Sequence, residues 1–293
     1  MSTDGSAVAE RPTTPGEAVL YEVSPTGVAL ITLNRPQRRN AWGGALTSMF
    51  FRCLEIADAD SDVRVIVITG NGPAFCVGAD MGDLGSISST TVESANQTDV
   101  SSLVAEKHPY FLTQLRKPVI AAINGSIAGI GLSLALMADV RFAAVGAKFT
   151  TSFARRGLVA EYGISWILPR LAGWGAAVDL LMSGRTFTAE EAGELGLVKA
   201  VVSGEQLLDV ALAYAEDIAV NCAPSSLAVM KRQLYADAGL PIVETSHTAE
   251  RLMHESMTRS DFIEGITAFF EKRAPRFPPL TAQSDDTYAN RQI

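Results

Sequence analysis

The sequence is poor in the residues that hold metals or staple small folds. It has three cysteines, Cys53, Cys76 and Cys222, and three histidines, His108, His247 and His254. The cysteines are odd in number and far apart, so neither a disulfide framework nor a CxxC pair is indicated. Three small packed thiols in a reducing compartment is the preferred reading. The histidines form no metal set: His247 and His254 could share a helix face, but a zinc or iron site needs more ligands. A basic excess is also missing. Lys and Arg number 24 against 32 Asp and Glu, a net charge of −8, which argues against a nucleic-acid partner. It leaves room for one local basic pocket around an anionic ligand. No apolar run approaches the roughly 20 residues of a membrane helix. The N-terminal stretch MSTDGSAVAERPTTPG carries Asp4 and Glu10 and lacks an apolar core, unlike a secretory signal. The expectation is a cytoplasmic protein with no membrane partner.

What is present is ordinary globular material. Apolar residues make up 47% and charged residues 19% of 293, enough for a sizeable core and for one α/β unit with an appended helical segment. Strand runs stand at VALITLN (28–34), VRVIVITG (63–70), PVIAAIN (118–124) and VRFAAVG (140–146), with a shorter LVKAVV (197–202). Several are apolar nearly throughout, as strands buried on both faces should be. Leu46, Met49, Phe50, Cys53, Leu54 and Ala57 fall at helical spacing between the first two. Strand–helix alternation points to crossover units and an α/β fold. Helices are expected at about 173–183 and 188–195. From Glu205 the chain reads as helices only, near 207–219, 224–237, 243–257 and 260–272. The expected division is a loose tail over 1–16, an α/β body over 17–204, a helical region over 205–277 and a second loose tail over 278–293. The polar stretch 86–108 reads as a mobile segment beside the site.

Two loops share a layout of buried strand, Gly-rich turn and polar-poor segment: ITGNGPAFCVGADM and AAINGSIAGIGLSLALMAD. Glycine lets a backbone come close to a ligand and turn its N–H groups toward it. Two such loops supplying one N–H each would form an oxyanion hole; two ordinary tight turns would look the same. Gly129-Ile130-Gly131 only partly imitates a dinucleotide fingerprint, since Leu134 stands at the third glycine position. Ser133 only partly imitates a nucleophile elbow, being well past the strand end. Glu161 is the most informative single residue, with Phe153, Leu158, Ile164, Trp166 and Ile167 around it in sequence. A carboxylate in an apolar pocket has a raised pKa and suits proton transfer. On these residues alone, an exposed loop or helix-start glutamate is the better reading.

The same loops carry a resemblance. LNRPQRRNAW, FCVGADMGDL, KPVIAAINGSIAGIGLSLALMADVRFAAVGAKF, GRTFTAEEAGELGLVKAVV and GITAFFEKRAPRF together resemble, in order, the signature blocks of the crotonase superfamily, the enoyl-CoA hydratase/isomerase family. The resemblance runs from about residue 18 to 277. It implies an α/β fold of repeated ββα turns in a spiral, followed by a helical trimerisation region, and a homotrimer or dimer of trimers. It implies an acyl-CoA thioester as the partner, with CoA entering as part of the substrate and no separate cofactor or metal. By matching, the backbone N–H groups of Ala79 and Ile130 are the oxyanion donors. Ala79, Asp80, Met81, Gly82 and Gly129 line the CoA and substrate groove. Arg38 or Arg39 stands near the CoA phosphates, and Lys272 reaches CoA from the C-terminal region. Phe153, Leu158 and Trp166 are the expected acyl pocket.

The departures bear on the reaction. Where a hydratase of this family carries two water-activating glutamates, this sequence has Ser133 and Phe153. Ile130 breaks the usual triple glycine but keeps its N–H. GLVAEYG is similar to the context in which Δ3,Δ2-enoyl-CoA isomerases carry one acidic catalyst, which reverses the reading of Glu161. The expected reaction is a shift of a 3-enoyl-CoA to a 2-enoyl-CoA with Glu161 as proton shuttle. A hydratase using Glu161 alone, a member acting on a ring-containing acyl-CoA, and a non-catalytic acyl-CoA-binding protein stay open.

Overall fold

The computed structural model describes residues 17–80 and 107–280. In chain order the elements are β1 (Val19–Val23), β2 (Val28–Leu33), α1 (Gly44–Ala59), β3 (Val65–Gly70), β4 (Ala74–Cys76), α2 (Phe111–Gln114), β5 (Val119–Ile123), β6 (Ser126–Ala128), α3 (Ile130–Leu136), β7 (Val140–Ala144), β8 (Lys148–Thr150), α4 (Ile164–Ser183), β9 (Thr186–Thr188), α5 (Ala189–Glu194), β10 (Ala200–Val202), α6 (Leu207–Asn221), α7 (Pro224–Ala236), α8 (Ile242–Met257) and α9 (Ser260–Glu271). The segment 86–108 lies outside the described residues as far as 106.

Two sheets result. One has the order β1-β2-β3-β5-β7-β10 and the other β4-β6-β8-β9. All pairs from β2 to β10 in the first sheet are parallel, with β1 antiparallel at the edge. Strands β3, β5 and β7 are each followed at once by a short strand of the second sheet, and β4, β6 and β8 lie parallel there in the same sequence. The chain thus repeats one strand–turn–strand unit three times, the spiral that the resemblance implied.

The apolar strands are apolar because both faces are covered. Along β3, Ile66 and Ile68 join a cluster with Leu46, Phe50, Cys53 and Leu54 of α1. The alternate residues Val65 and Val67 join Ile120, Ala122 and Phe142 under Leu207, Ala211, Ala215 and Ala219 of α6. Alternation of period two sends neighbouring side chains to opposite faces. The first helix after residue 204 therefore covers the sheet and is not detached from the body.

The helices beyond it are tied down by buried polar groups. Asp139 accepts from Val119 N–H at 2.7 Å and pairs with Lys231 of α7 at 2.7 Å. Lys231 also donates to the Lys117 carbonyl at 3.0 Å. Burial pushes the Lys231 ammonium below its ordinary value, with Asp139 opposing that shift. In α9, Asp261 accepts from Ser225 Oγ at 2.6 Å, and Arg64 donates to the Phe277 carbonyl at 2.7 Å.

Sequence periodicity places the long elements within a few residues and misses the short ones. β4, β6, β8 and β9 have three residues each, too few for a periodic signal. The first half of α4 is missed because it contains Pro169 and breaks at Gly173, whose φ is 79°.

Removing one partner of a buried ion pair leaves the other charge without compensation, which costs about 3–5 kcal/mol. Asp139→Ala is expected to lower stability on that scale in chemical denaturation. The double variant Asp139→Asn with Lys231→Met should lose less than the sum of its single variants. Additive losses would show that the pair is not coupled.

Candidate active site

The turn between β2 and α1 sets one wall. The run Asn34-Arg35-Pro36-Gln37-Arg38 forms a 3-10 turn with Pro36 opening it, and Arg39 and Asn40 then take left-handed backbone conformations, with φ of 50° and 54°. Asn40 is fully buried. Its side chain accepts from Arg35 N–H at 2.7 Å and donates to the carbonyls of Asn71 and Ala74 at 3.0 and 2.8 Å. One amide therefore clamps this turn to the loop after β3. The clamp brings Trp42 alongside Ala79 in an isolated parallel bridge. Trp42 N–H donates to the Gly78 carbonyl and its carbonyl accepts from Asp80 N–H, both at 2.8 Å. In such a bridge the flanking residues make the bonds. The N–H of Ala79 itself points away from Trp42, and it makes no hydrogen bond to another described residue.

The second wall is the start of α3. Gly129 precedes the helix with φ 52° and ψ −122°, a conformation that costs other residues strain. Ile130 is the first helical residue, so its N–H has no partner inside the helix. Gly131 allows the helix to lie against β4: a Cβ there would stand 2.4 Å from the Cys76 carbonyl oxygen and 2.7 Å from Cys76 Cβ. Ala79 and Ile130 both line one cavity of about 490 Å³. That cavity lies between the two Gly-rich loops, as an oxyanion hole requires.

Its charged groups differ in state. Asp80 is buried and holds Arg38 at 2.9 Å and Arg35 at 3.1 Å, so this carboxylate is already neutralised. The Glu161 carboxylate has no hydrogen-bond or ion-pair partner among the described residues, its backbone carbonyl accepting from Ile164 N–H at 3.2 Å. Loss of water around it raises its carboxyl above the ordinary 4.5. Burial, and then the neighbouring Glu161 charge, keep the Tyr162 phenol protonated to higher pH than usual. Tyr162 has a left-handed φ of 56° and Gly163 follows at 75°. This turn delivers Glu161 and Tyr162 to the cavity just before α4 begins.

The cavity brings together Arg38, Ala79, Asp80, Gly129, Ile130, Phe153, Leu158 and Glu161 from the residues singled out in the sequence. It does not include Arg39, Lys272 or Trp166. Arg39 is exposed; its N–H donates to the Pro36 carbonyl at 3.0 Å and its carbonyl accepts from Val77 N–H at 3.3 Å. Lys272 is exposed at the left-handed end of α9. Trp166 lies outside this cavity: Ile164, Ile167 and Leu168 face the core, which turns Trp166 to the opposite side of the helix. There its ring carries the Arg170 guanidinium at 4.0 Å. Met81 and Gly82 lie outside the described residues. Ser133 is fully buried and its hydroxyl donates to the Gly129 carbonyl at 3.4 Å, so it is spent within its own helix. Sequence reasoning missed Ala41, Val77, Gly78, Ser152, Arg156 and Tyr162, which also line the cavity. Arg155-Arg156 and Tyr162 sit beside Glu161 in sequence, and that proximity was the available signal. Among the described residues, no group of three or more His, Cys, Asp and Glu is placed to hold a metal. None of the described helices is long and apolar enough to cross a membrane.

The family model for enoyl-CoA hydratase/isomerase matches residues 24–279, and the chain belongs to that family. It is 34% identical to 1,2-epoxyphenylacetyl-CoA isomerase of Escherichia coli K12, over 86% of this chain and 95% of the relative. It is 36% identical to the probable enoyl-CoA hydratase EchA12 of Mycobacterium tuberculosis H37Rv, over 92% and 93%. Among solved structures, a putative enoyl-CoA hydratase/isomerase from Mycobacterium abscessus is similar with a TM-score of 0.81 and 32% identity, over 90% of this chain and all of that one. The enoyl-CoA hydratase EchA12_1 of Mycobacterium marinum is 57% identical, with a TM-score of 0.64 over 76% of this chain and 98% of that one.

The approach of α3 to β4 is directly testable. Gly131→Ala must push the helix off Cys76, because the opposing atoms are a backbone carbonyl and a Cβ. The expected result is a fold retained by circular dichroism, a lowered melting temperature, and loss of acyl-CoA turnover greater than loss of stability explains. Full activity in this variant would show that the two loops need no such contact.

Proposed function

We propose that this member of the enoyl-CoA hydratase/isomerase family shifts the double bond of a 3-enoyl-CoA into conjugation with the thioester. The observation that carries the reading is that, among the described residues of the cavity, a single carboxylate is available. Asp80 is held by two arginines, while Glu161 is unpaired and desolvated. The positions of the two hydratase glutamates hold Ser133, bonded to its own helix, and Phe153, an apolar ring on the cavity wall. The chemistry asks for one base. Glu161 takes a proton from C2, and the electron pair moves onto the thioester oxygen, which the N–H groups of Ala79 and Ile130 stabilise. When the dienolate collapses, C2 and C3 become double-bonded, and the carbon–carbon double bond between C3 and C4 is lost. Glu161 returns the proton to C4. Atoms and charge balance with no co-reactant. The apolar walls, Val77, Ile130, Phe153 and Leu158, keep water from competing.

A hydratase remains the second reading, favoured by the Tyr162 hydroxyl beside Glu161. A water held between these two groups would stand in for the missing glutamate pair, and several relatives are named as hydratases. The test is turnover of a 3-enoyl-CoA and a 2-enoyl-CoA by wild type and Glu161→Gln, followed by absorbance of the conjugated thioester. Isomerisation predicts absorbance rising with the 3-enoyl substrate, and a kcat lower by about 100- to 10,000-fold in the variant. Absorbance falling with the 2-enoyl substrate alone would establish hydration. Glu161 must be ionised to act, so kcat/KM should fall on the acid side through an apparent pKa above 4.5. The stability effect has the opposite sense. With its pKa raised on folding, Glu161 favours the folded state below the unfolded value and loses that contribution as pH rises through the folded value. Glu161→Gln should therefore melt no lower than wild type at neutral pH.

The protein is also proposed to assemble as a homotrimer or a dimer of trimers. Support comes from large apolar side chains left exposed on α8 and α9, among them Ile242, Val243, Phe262, Ile263, Phe269 and Phe270. So many large apolar side chains exposed on two neighbouring helices are unusual on a monomer. Sedimentation should give three or six chains per particle, and Ile263→Glu with Phe270→Glu should reduce that number. A monomeric wild type would sink the assembly.

A further inference from the structure

We infer that the cavity selects acyl-CoA thioesters whose acyl chain ends in a carboxylate, held by Arg156. The inference rests on the acyl-CoA reading of the site and adds the nature of the acyl group. Residues 154–156 form a 3-10 turn that starts from Phe153 and is closed by Gly157 in the left-handed conformation. Arg156 N–H donates to the Phe153 carbonyl at 2.9 Å. In a 3-10 turn, residues three apart eclipse one another, so Arg156 lies on the same side as the Phe153 ring, and both line the cavity. The neighbouring Arg155 is already used: its Nε donates to the Ser183 carbonyl at 2.8 Å. Arg35 and Arg38 are used by Asp80. The Arg156 side chain is exposed and has no hydrogen-bond or ion-pair partner among the described residues. Among the described residues, the cavity therefore holds one guanidinium without a counter-ion, and it lies in the same cavity as the Glu161 carboxylate.

Two observations put this cation on the acyl side and not on the CoA phosphates. A second cavity of about 430 Å³ adjoins the first and shares Arg38 and Asp80 with it. It is lined also by Asn34, Arg35 and Gln37, and by nothing from the segment 152–162. Ala79 and Ile130 stand with Glu161 in the first cavity only. A thioester with its oxygen at those N–H groups would send its CoA end toward Arg35 and Arg38. Its acyl chain would run toward Phe153, Leu158 and Arg156. The chain thus crosses an apolar wall before meeting a guanidinium, whose planar donors match a carboxylate.

The test needs no turnover. Binding of hexanoyl-CoA and of adipoyl-CoA, equal in length and differing in a terminal methyl or carboxylate, is measured by calorimetry on the full-length protein. The wild type is expected to prefer adipoyl-CoA by about 10- to 100-fold, the range of a charge-assisted hydrogen bond. Arg156→Leu should abolish that preference, and Arg156→Lys should keep part of it. Equal binding of both thioesters by wild type would overturn the inference while leaving the acyl-CoA reading intact. So would a parallel loss of both in Arg156→Leu, which would put the guanidinium on CoA. If neither thioester binds, the acyl-CoA reading itself fails and takes this inference with it.

Discussion

The site depends on how close α3 can come to β4. The two N–H groups proposed to hold the thioester oxygen belong to separate loops, one after β4 and one at the start of α3. Their separation is set by backbone packing, not by any side-chain contact between them. Gly131 is the residue that permits it, since any Cβ would meet the Cys76 carbonyl and side chain. The Asn40 amide does the complementary work on the other side, fastening the β2–α1 turn to the loop that carries Ala74. That fastening aligns Trp42 with Ala79 and leaves the Ala79 N–H turned away from its bridge partner. A staircase of three strand pairs presents these loops at one end of the fold, which is why short, barely periodic strands matter as much as the long buried ones.

Electrostatics then divides the cavity by function. On one side Asp80 organises Arg35 and Arg38 into a fixed group carrying a net positive charge, suited to holding an anionic ligand without moving. On the other side Glu161 is left alone, and water is partly withdrawn from it. The same carboxylate chemistry serves structure in one place and, in the proposed reaction, proton transfer in the other, and the difference is the presence or absence of a guanidinium.

Long elements were legible because each carries a period. Ile66 and Ile68 against Val65 and Val67 show why an unbroken apolar run means a sheet covered on both faces. The second sheet was not legible, since strands of three residues hold no pattern. At the site, the loops could be read from glycine and strand order, and Glu161 needed the family resemblance to raise it above an exposed loop residue. Arg156 and Tyr162 were passed over because their meaning is geometric. A 3-10 turn puts Arg156 beside Phe153, and a left-handed φ puts Tyr162 in the cavity. Trp166 shows how little closeness to Glu161 in sequence says about this cavity once a helix begins at Ile164 and turns the ring outward.

The replacement of two water-binding glutamates and the isolation of a third have one physical consequence. A carboxylate pair costs little where each member can hydrogen-bond to the same water, because that water replaces lost hydration. Ser133 and Phe153 remove the pair and the place for such a water. Glu161, placed in what remains, pays desolvation without that compensation, and its proton affinity rises. A base of raised pKa in a cavity with apolar walls is a good acceptor for a proton already acidified by a thioester. The absence of the glutamate pair and the proton-shuttle chemistry proposed for Glu161 thus rest on the same set of side chains.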